Sequence, residues 1–178
     1  MKKYSVRKEI SENETEDLKA YPELLRHLLF YRGVKNIDDA EKFLNPDYDG
    51  GTHDPFLMKD MDKAAERILK AIEKNEKIII YSDYDADGIP GAVILHDFFK
   101  KIGFNNFENY IPHRHEEGFG LNMEAVEEFG KSDAKLLITI DCGIADAEEV
   151  KKLNELGIDV IITDHHELSE SIPPAYAI

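Results

Sequence analysis

Four short stretches of this 178-residue sequence place acidic or basic side chains directly behind apolar runs. They are DYDADG at 83–88, HRH at 113–115, IDCGI at 140–144 and DHH at 164–166. Carboxylate oxygens and imidazole nitrogens are ligands for divalent cations, and the planar guanidinium of Arg114 suits a phosphate. The residue types therefore predict a metal site with a phosphate-bearing substrate.

Aspartates that converge on one site need a compensating charge. Two carboxylates about 5 Å apart repel each other by about 3 kcal/mol at an effective dielectric constant near 20. A bound cation is therefore the simplest explanation for the aspartates of DYDADG, IDCGI and DHH and the histidine pair of DHH at one edge. Oxygen ligands with an imidazole contribution favour Mn²⁺ or Mg²⁺, and they leave Zn²⁺ and Fe²⁺ open.

The DYDADG stretch has two simpler interpretations. It has the spacing of an EF-hand calcium loop, but its twelfth position is Ile94 rather than Glu, and it follows a predicted strand. The second interpretation is an Asp-rich turn before a helix, because Gly88 permits a tight bend and Pro90 suits the first helical turn. This second interpretation stays open.

The remaining motif residues also have alternatives. Asp141 at a strand end is often only a helix N-cap. Arg114 could form an ion pair with Glu116 or Glu117 instead of contacting a phosphate. We expect Cys142 to be a small buried neighbour, because no basic group in the local sequence would activate its thiol.

The apolar runs predict the elements that position these motifs. The predicted strands are KIIIYS, ENYIP, KLLITI and IDVIIT, and the helical segments between them are PGAVILHDFFKKIG, MEAVEEFG and ADAEEVKKLNELG. Continuous apolar strands between helices are typical of a parallel sheet covered on both faces. We predict an α/β fold with a doubly wound, mostly parallel, Rossmann-like sheet. Ligands bind such sheets outside the carboxyl ends of the strands, where the four motifs fall.

The N-terminal part has a helical pattern instead. Apolar residues between Leu18 and Tyr31 follow a spacing of three and four, which predicts one amphipathic helix ending near Gly33. Asn36 is the predicted N-cap of a second helix over IDDAEKFL, DYDGGTHDPF is a predicted loop, and a third helix is predicted from about Asp60 to Lys74. We therefore predict a helical extension over residues 1–75 and a catalytic domain over residues 76–178.

Composition and charge limit the class of protein. The net charge is −15, and residues 77–178 carry 8 Lys and Arg against 20 Asp and Glu. That acidity argues against a protein that holds nucleic acid through many phosphate contacts, but it is compatible with a site that binds cations first. The single cysteine excludes an intramolecular disulfide framework, and no apolar run reaches about 18 residues. We expect a soluble, cytoplasmic protein without a membrane partner.

The ordered motifs resemble a known superfamily. DYDADG, IDCGI and TDHHE, in that order, resemble the first three signature motifs of the DHH phosphoesterases. LLFYRGV, AEKFLNP, DPFLMKDMDKAAERI and IPHRHEEGFGLN resemble the RecJ-like branch, the exonucleases specific for single-stranded DNA. The resemblance runs from about residue 20 to residue 178. It implies two divalent cations, usually Mn²⁺ and alternatively Mg²⁺, that hold a water for attack on a phosphodiester at a 5′ end.

The resemblance also implies roles for single residues. The implied metal ligands are Asp85 for one ion, Asp87 and His165 for the other, and Asp141 as the bridge between both. His166 is the implied contact to the scissile phosphate and, with Asp141, the implied catalytic residue, while Arg114 is a further phosphate contact. Asp83 and Asp164 are implied to orient the ligands.

The sequence departs from the family pattern near the first motif. Tyr81 stands where many members have a metal-binding His, Ser82 where Gly is common, and Pro90 where Thr or Ser is usual. We therefore expect the first ion to be held more weakly. The family's fourth motif and its DHHA1 and OB domains are not present in this sequence. We expect those parts to make most contacts with DNA, and this chain alone to be poorly active.

Three functional hypotheses follow. The first is the catalytic portion of a RecJ-like 5′→3′ single-stranded DNA exonuclease in DNA repair and recombination, with repair proteins as partners. The second is a DHH enzyme for short oligoribonucleotides, cyclic dinucleotides or pyrophosphate, against which the RecJ-like helical extension argues. The third is a non-catalytic RecJ-like scaffold, against which the retained motif aspartates and histidines argue.

Overall fold

The chain folds into two compact units that divide between Asp54 and Pro55. The structure is a computed structural model that describes residues 5–8, 10–168 and 171–178. The predicted division lay later, after residue 75. The helix before that position belongs to the second unit because its Ala71 and Ile72 pack against the strand residue Ile78.

The first unit is a small helical cluster. It contains a 3₁₀ helix at Glu12–Leu18 and the helices α1 (Glu23–Phe30), α2 (Ile37–Leu44) and α3 (Tyr48–Gly51). Leu18, Leu29 and Ala40 are buried together at its centre. The prediction of one continuous helix before Gly33 was wrong, because Pro22 lacks an amide hydrogen and stands at the N-cap of α1, after the separate 3₁₀ helix.

Two further predictions for this unit have different outcomes. Asn36 caps α2 as predicted, since its side-chain oxygen accepts a hydrogen bond from the Asp39 amide at 2.8 Å. The predicted loop DYDGGTHDPF was wrong at both ends. Asp47 caps the short helix α3 by accepting from the Gly50 amide at 2.7 Å, and a 3₁₀ turn covers Pro55–Leu57.

The second unit contains the parallel sheet that the sequence predicts. Its strands are β1 (Lys77–Ser82), β2 (Phe107–Tyr110), β3 (Ala134–Ile140) and β4 (Asp159–Thr163), all parallel in the order β2-β1-β3-β4. Its helices are α4 (Met61–Glu73), α5 (Gly88–Lys101), α6 (Met123–Lys131) and α7 (Ala147–Glu155). The predicted α/β fold class is therefore confirmed. No helix in the described ranges has the length and apolar character needed to cross a membrane.

The sheet is covered on both faces because successive strand residues point to opposite sides. Ile78 and Ile80 belong to one buried cluster, which includes side chains of α4 and α5. Ile79 and Tyr81 belong to the other buried cluster, which includes side chains of α6 and α7. Because both faces of the sheet are buried, we expect a ligand-binding site at an edge of the sheet.

A buried arginine forms ion pairs and a hydrogen bond at the amino-terminal edge of the sheet. Arg67 of α4 donates from Nε to Asp159 at 2.6 Å and from Nη2 to the carbonyl oxygen of Lys135 at 3.1 Å. Its Nη1 lies 2.8 Å from the carboxylate of Glu76. These contacts join α4 to the starts of β3 and β4. The ionisable residues of the motifs follow the ends of the strands, so they lie at the opposite, carboxyl-terminal edge.

The start of α5 approaches the end of β1 so closely that only glycine fits. A Cβ atom at Gly88 would lie 2.4 Å from the backbone oxygen of Asp83, which is far inside van der Waals contact. We expect Gly88→Ala to lower the free energy of unfolding by about 1–3 kcal/mol, because backbone must move to admit the methyl group. Urea denaturation followed by circular dichroism measures this change.

The matched control is Gly51→Ala at the end of α3, where a Cβ would meet no described atom within 4 Å. We expect the control to change stability by less than about 0.5 kcal/mol. Equal stabilities of the two variants would contradict the close approach at Gly88.

Candidate metal centre at the carboxyl edge of the sheet

The hydrogen-bond ladder of the sheet brings the first and third strand ends together. The amide of Asp83, just after β1, donates to the carbonyl oxygen of Ile140 at 3.1 Å. The amide of Asp141, just after β3, donates to the carbonyl oxygen of Thr163 at 2.8 Å. Residues far apart in the sequence therefore meet at one edge through backbone pairing alone.

Three carboxylates form the first cluster. Oxygens of Asp83, Asp85 and Asp141 all lie within 4.8 Å of one another, and the side chains of Asp83 and Asp141 are buried. The turn after β1 fixes Asp85, whose Oδ1 accepts hydrogen bonds from the amides of Asp87 at 2.8 Å and Gly88 at 3.0 Å. The bond from Gly88, followed by that from Asp87, lowers the pKa of Asp85, so this carboxylate is held charged.

Asp141 is the most constrained residue of the cluster. Its φ of 61° is left-handed, a conformation that aspartate tolerates better than most residues and that is common at functional sites. Its Oδ1 is buried and accepts no hydrogen bond of good geometry from the described residues. Burial, and then the charge of Asp85, raises the pKa of Asp141, while His165 and His166 oppose that rise. A cation beside this oxygen would offset both the burial of the Asp141 carboxylate and its repulsion by Asp85.

Two imidazoles form a second cluster around the same Asp141. Ligand atoms of Asp141, His165 and His166 lie within 4.8 Å of one another. The Nε2 of His165 lies 2.9 Å from Oδ1 of Asp141, and the Nδ1 of His166 lies 4.0 Å from that oxygen. Asp141 therefore belongs to both clusters, which is the arrangement required of a bridging carboxylate.

Asp164 orients the histidine pair through hydrogen bonds to its backbone and to one ring. Its Oδ1 accepts from the amides of His165 at 2.7 Å and His166 at 3.1 Å, and lies 2.7 Å from the Nδ1 of His166. Its Oδ2 accepts from the amide of Ile144 at 3.0 Å. Burial raises the pKa of Asp164, but these hydrogen bonds outweigh it and leave the pKa lowered. The bond to Asp164 also raises the pKa of His166.

These donors fit two divalent cations that share Asp141. The first position has carboxylate oxygens only, and the second combines a carboxylate with imidazoles, a donor set that suits Mn²⁺ or Mg²⁺. The buried Oδ1 of Asp141 is the observation in favour of a cation. It has no hydrogen bond of good geometry among the described residues, and its ion-pair partners are imidazoles that are positive only when protonated. The ligand roles of the individual residues stay predictions.

The structure does not bring every predicted ligand into these clusters. Asp87 is the exposed N-cap of α5 and is in neither cluster, although it lines a cavity of about 640 Å³ that also reaches Asp141 and His165. Asp83, which we predicted only to orient ligands, lies inside the first cluster. The sequence could not rank Asp83 above Asp87, because both belong to one aspartate-rich turn.

The loop after β2 carries Arg114, which lies beside the site rather than in it. The guanidinium carbon is 5.2 Å from the centre of the Tyr84 ring, a cation–π contact. The alternative partner Glu117 is engaged elsewhere, since it accepts from the hydroxyl of Tyr110 and from the amide of His113 at 2.5 Å. Arg114 thus stays consistent with its predicted role as a phosphate contact.

The sequence analysis considered Tyr81 and the loop around Phe119, but it did not predict the contacts that these two residues make. Tyr81, considered as a replacement for a metal-binding His, is fully buried, and its hydroxyl donates to the carbonyl oxygen of Gly120 at 2.7 Å. Phe119 lies against His166, with ring centres 5.6 Å apart. The only sequence signal was the pair of glycines around Phe119, which indicated a loop but not its contact.

Residues 77–178 match the DHH family, N-terminal domain. This chain belongs to the DHH family. The DHH match begins with β1 and covers all three motifs that supply the two clusters. It does not include the helical first unit, whose likeness to known proteins comes from whole-sequence relatives.

Curated relatives extend the likeness over nearly the whole chain. The single-stranded-DNA-specific exonuclease RecJ of Bacillus subtilis is 45% identical over 165 residues, and that of Escherichia coli is 34% identical over 167 residues. These alignments cover 92% and 93% of this chain, but only 20% and 28% of the relatives. The chain therefore spans less than a third of the length of these DHH proteins.

Solved structures show the same fold. A structure of exonuclease RecJ bound to manganese matches with a TM-score of 0.62 and 38% identity, over 67% of this chain and 30% of that one. RecJ of Thermus thermophilus in complex with Mn²⁺ matches with a TM-score of 0.61 and 26% identity, over 94% of this chain and 23% of that one. Both relatives hold the ion that the donor set of this DHH chain favours.

The central role of Asp141 predicts the effect of removing its charge. We expect Asp141→Asn to weaken Mn²⁺ binding by at least about tenfold, because one amide replaces the carboxylate common to both clusters. Isothermal titration of the chain with Mn²⁺ measures this. The matched control is Asp133→Asn, an 83% exposed side chain next to the start of β3 at the opposite edge, which should bind as the wild type does. Equal loss in both variants would mean that general acidity, not this centre, attracts the ion.

The buried thiol beside the centre predicts chemical inertness. Cys142 is fully buried, and burial, followed by the carboxylates of Asp146 and Asp164, raises the pKa of its thiol. We expect iodoacetamide at about pH 8 to leave the folded protein unmodified and to alkylate Cys142 after unfolding in urea, because the thiolate is the reactive form. Mass spectrometry of both samples measures this, and rapid alkylation of the folded protein would contradict the burial.

Proposed function

We propose that this chain is the catalytic DHH portion of a RecJ-like 5′→3′ exonuclease for single-stranded DNA, acting by metal-dependent hydrolysis of phosphodiesters. The observation that carries the proposal is the sharing of Asp141 by a carboxylate cluster and an imidazole cluster. The relatives that align with nearly the whole chain are named single-stranded-DNA-specific exonucleases, which supports this substrate over others.

Two Mn²⁺ or Mg²⁺ ions are the proposed cofactors. Asp83 and Asp85 would hold the first, His165 the second, and Asp141 both, with Asp87 as the ligand implied by the family motif. Bound there, the ions supply a nucleophile by lowering the pKa of water, and they offset negative charge on the phosphoryl oxygens.

The remaining residues prepare the site for an anionic substrate. Asp164 engages the Nδ1 of His166, which leaves the other ring nitrogen for a phosphate oxygen. The raised pKa of His166 favours the protonated imidazole, whose charge matches that substrate. Arg114, held over Tyr84, is the second proposed phosphate contact.

The strong acidity of residues 77–178 has a consistent explanation in this proposal. The carboxylates attract cations, and phosphate contacts by many basic residues would come from the rest of a longer protein, as the lengths of the relatives suggest. We further propose action from a 5′ end, repair proteins as partners and a cytoplasmic location.

The decisive experiment uses the full-length protein, with single-stranded DNA labelled at either end and Mn²⁺ present. We expect mononucleotides to leave from the 5′ end first, and EDTA to abolish the reaction. His166→Ala should lower kcat at least about a hundredfold, because it removes a proposed phosphate contact in the transition state. Asp133→Asn is the control and should retain full activity.

Other outcomes would select the other hypotheses. Release from the 3′ end would contradict the proposed polarity. Faster cleavage of dinucleotides than of long strands would favour a DHH enzyme for short substrates. Mn²⁺ binding without any hydrolysis would favour the scaffold.

A further inference from the structure

Tyr81 is the last residue but one of β1, and its side chain lies in the core rather than in the metal clusters. Its ring stacks on that of Tyr110, with centres 5.3 Å apart and planes at 14°, and meets the Phe129 ring edge-on at 6.2 Å. The ring is fully buried between the sheet and α6. Position 81 therefore has a packing role that a metal ligand would not have.

The hydroxyl of Tyr81 ends this buried ring with one specific contact. It donates to the carbonyl oxygen of Gly120 at 2.7 Å, and it lies 3.3 Å from the side-chain amide of Asn122, which donates to it. The hydroxyl of Tyr81 thus joins the end of β1 to the backbone of Gly120.

Gly120 belongs to the loop of residues 111–122 that joins β2 to α6, here called the β2–α6 arm. Its φ of 79° and that of Gly118 at 82° are left-handed conformations that glycine adopts readily, so the path of the arm on both sides of Phe119 depends on glycine. Besides hydrogen bonds within the arm, such as that from the His113 amide to Glu117, side chains outside the arm hold its backbone. Besides Tyr81, Asp146 accepts from the amide of Leu121 at 2.8 Å.

The arm carries Phe119 to the histidine of the proposed phosphate contact. Phe119 lies between the two glycines, and its ring meets that of His166 edge-on, at 5.6 Å and 81°. The opposite constraint on His166 is its Nδ1 contact with Asp164. The imidazole therefore contacts a carboxylate and the aromatic ring of Phe119, and its ring centre also lies 4.8 Å from that of His165.

We propose that Tyr81 is a positioning residue for His166, acting through the carbonyl oxygen of Gly120 and the ring of Phe119. Loss of the hydroxyl removes one of the contacts that fix the arm at the residue next to Phe119, so the ring of Phe119 shifts relative to the imidazole. The catalytic consequence rests on the proposed function. The effect on the imidazole itself does not, so the two are tested separately.

The first test is nuclear magnetic resonance of the His166 ring in this chain without metal, using long-range proton–nitrogen correlations of imidazoles. Phe119→Leu, at a side chain that is 58% exposed, removes the aromatic ring and defines the direction in which the His166 signals move. We expect Tyr81→Phe to move them in the same direction. Tyr21→Phe, which deletes a hydroxyl bound to Glu41 in the other unit, should leave them in place.

Two results of this test would overturn the proposal. His166 signals that stay at wild-type positions in Phe119→Leu would show that the ring contact has no influence on the imidazole. Signals that move in Phe119→Leu but not in Tyr81→Phe would show that the hydroxyl does not set the position of Phe119.

The second test is steady-state kinetics of the full-length protein with single-stranded DNA. We expect Tyr81→Phe and Phe119→Leu each to lower kcat by roughly tenfold, with KM and the Kd for Mn²⁺ unchanged, because a small misplacement of a catalytic group costs rate and not binding. Should Tyr81→Phe fail to fold, an unchanged kcat in Phe119→Leu alone would overturn the proposal. A loss of Mn²⁺ affinity in Tyr81→Phe with unmoved His166 signals would do the same.

A wild-type protein without nuclease activity would refute the proposed function instead. The resonance test would still decide whether Tyr81 positions His166.

Discussion

The buried carboxylate of Asp141 is the constraint on which this site depends. The backbone of Asp141 takes a left-handed turn directly after β3. One of its oxygens is buried without a hydrogen bond of good geometry among the described residues, and the imidazole of His165 lies 2.9 Å from it. Burial of a charged carboxylate is costly unless a positive charge lies beside it. The aspartates after β1 and the histidines after β4 converge on this oxygen through the pairing of the strands, and together they form a site that a cation would stabilise.

The parallel sheet makes this convergence possible. Hydrogen bonds continue past the last strand residues to Asp83 and Asp141, so the ladder itself carries both carboxylates to the edge. Gly88 lets α5 start against the backbone of Asp83, and the hydrogen bonds from that helix start hold Asp85 charged. The stable core and the strained, acidic edge are thus parts of the same strands.

The sequence predicted the parallel sheet and the edge at which the motifs meet, because strand hydrophobicity and motif order are local signals. It did not predict that Pro22 separates two helices before Gly33, or that the helix before β1 packs on the sheet, because these depend on tertiary contacts. It also could not separate the carboxylates of one turn. Asp83 and Asp87 belong to the same aspartate-rich turn. Only Asp83 continues the hydrogen-bond ladder of β1, and only its carboxylate lies in the first cluster. The contact between Phe119 and His166 joins residues from two distant loops, and no local pattern encodes it.

The most direct test is crystallography of the protein with Mn²⁺, with anomalous scattering recorded at the manganese edge. The account predicts two anomalous peaks, about 3.5–4 Å apart, with the carboxylate of Asp141 in contact with both ions. A single peak that does not touch Asp141, or two peaks that bind elsewhere and leave its buried oxygen without a cation, would contradict it.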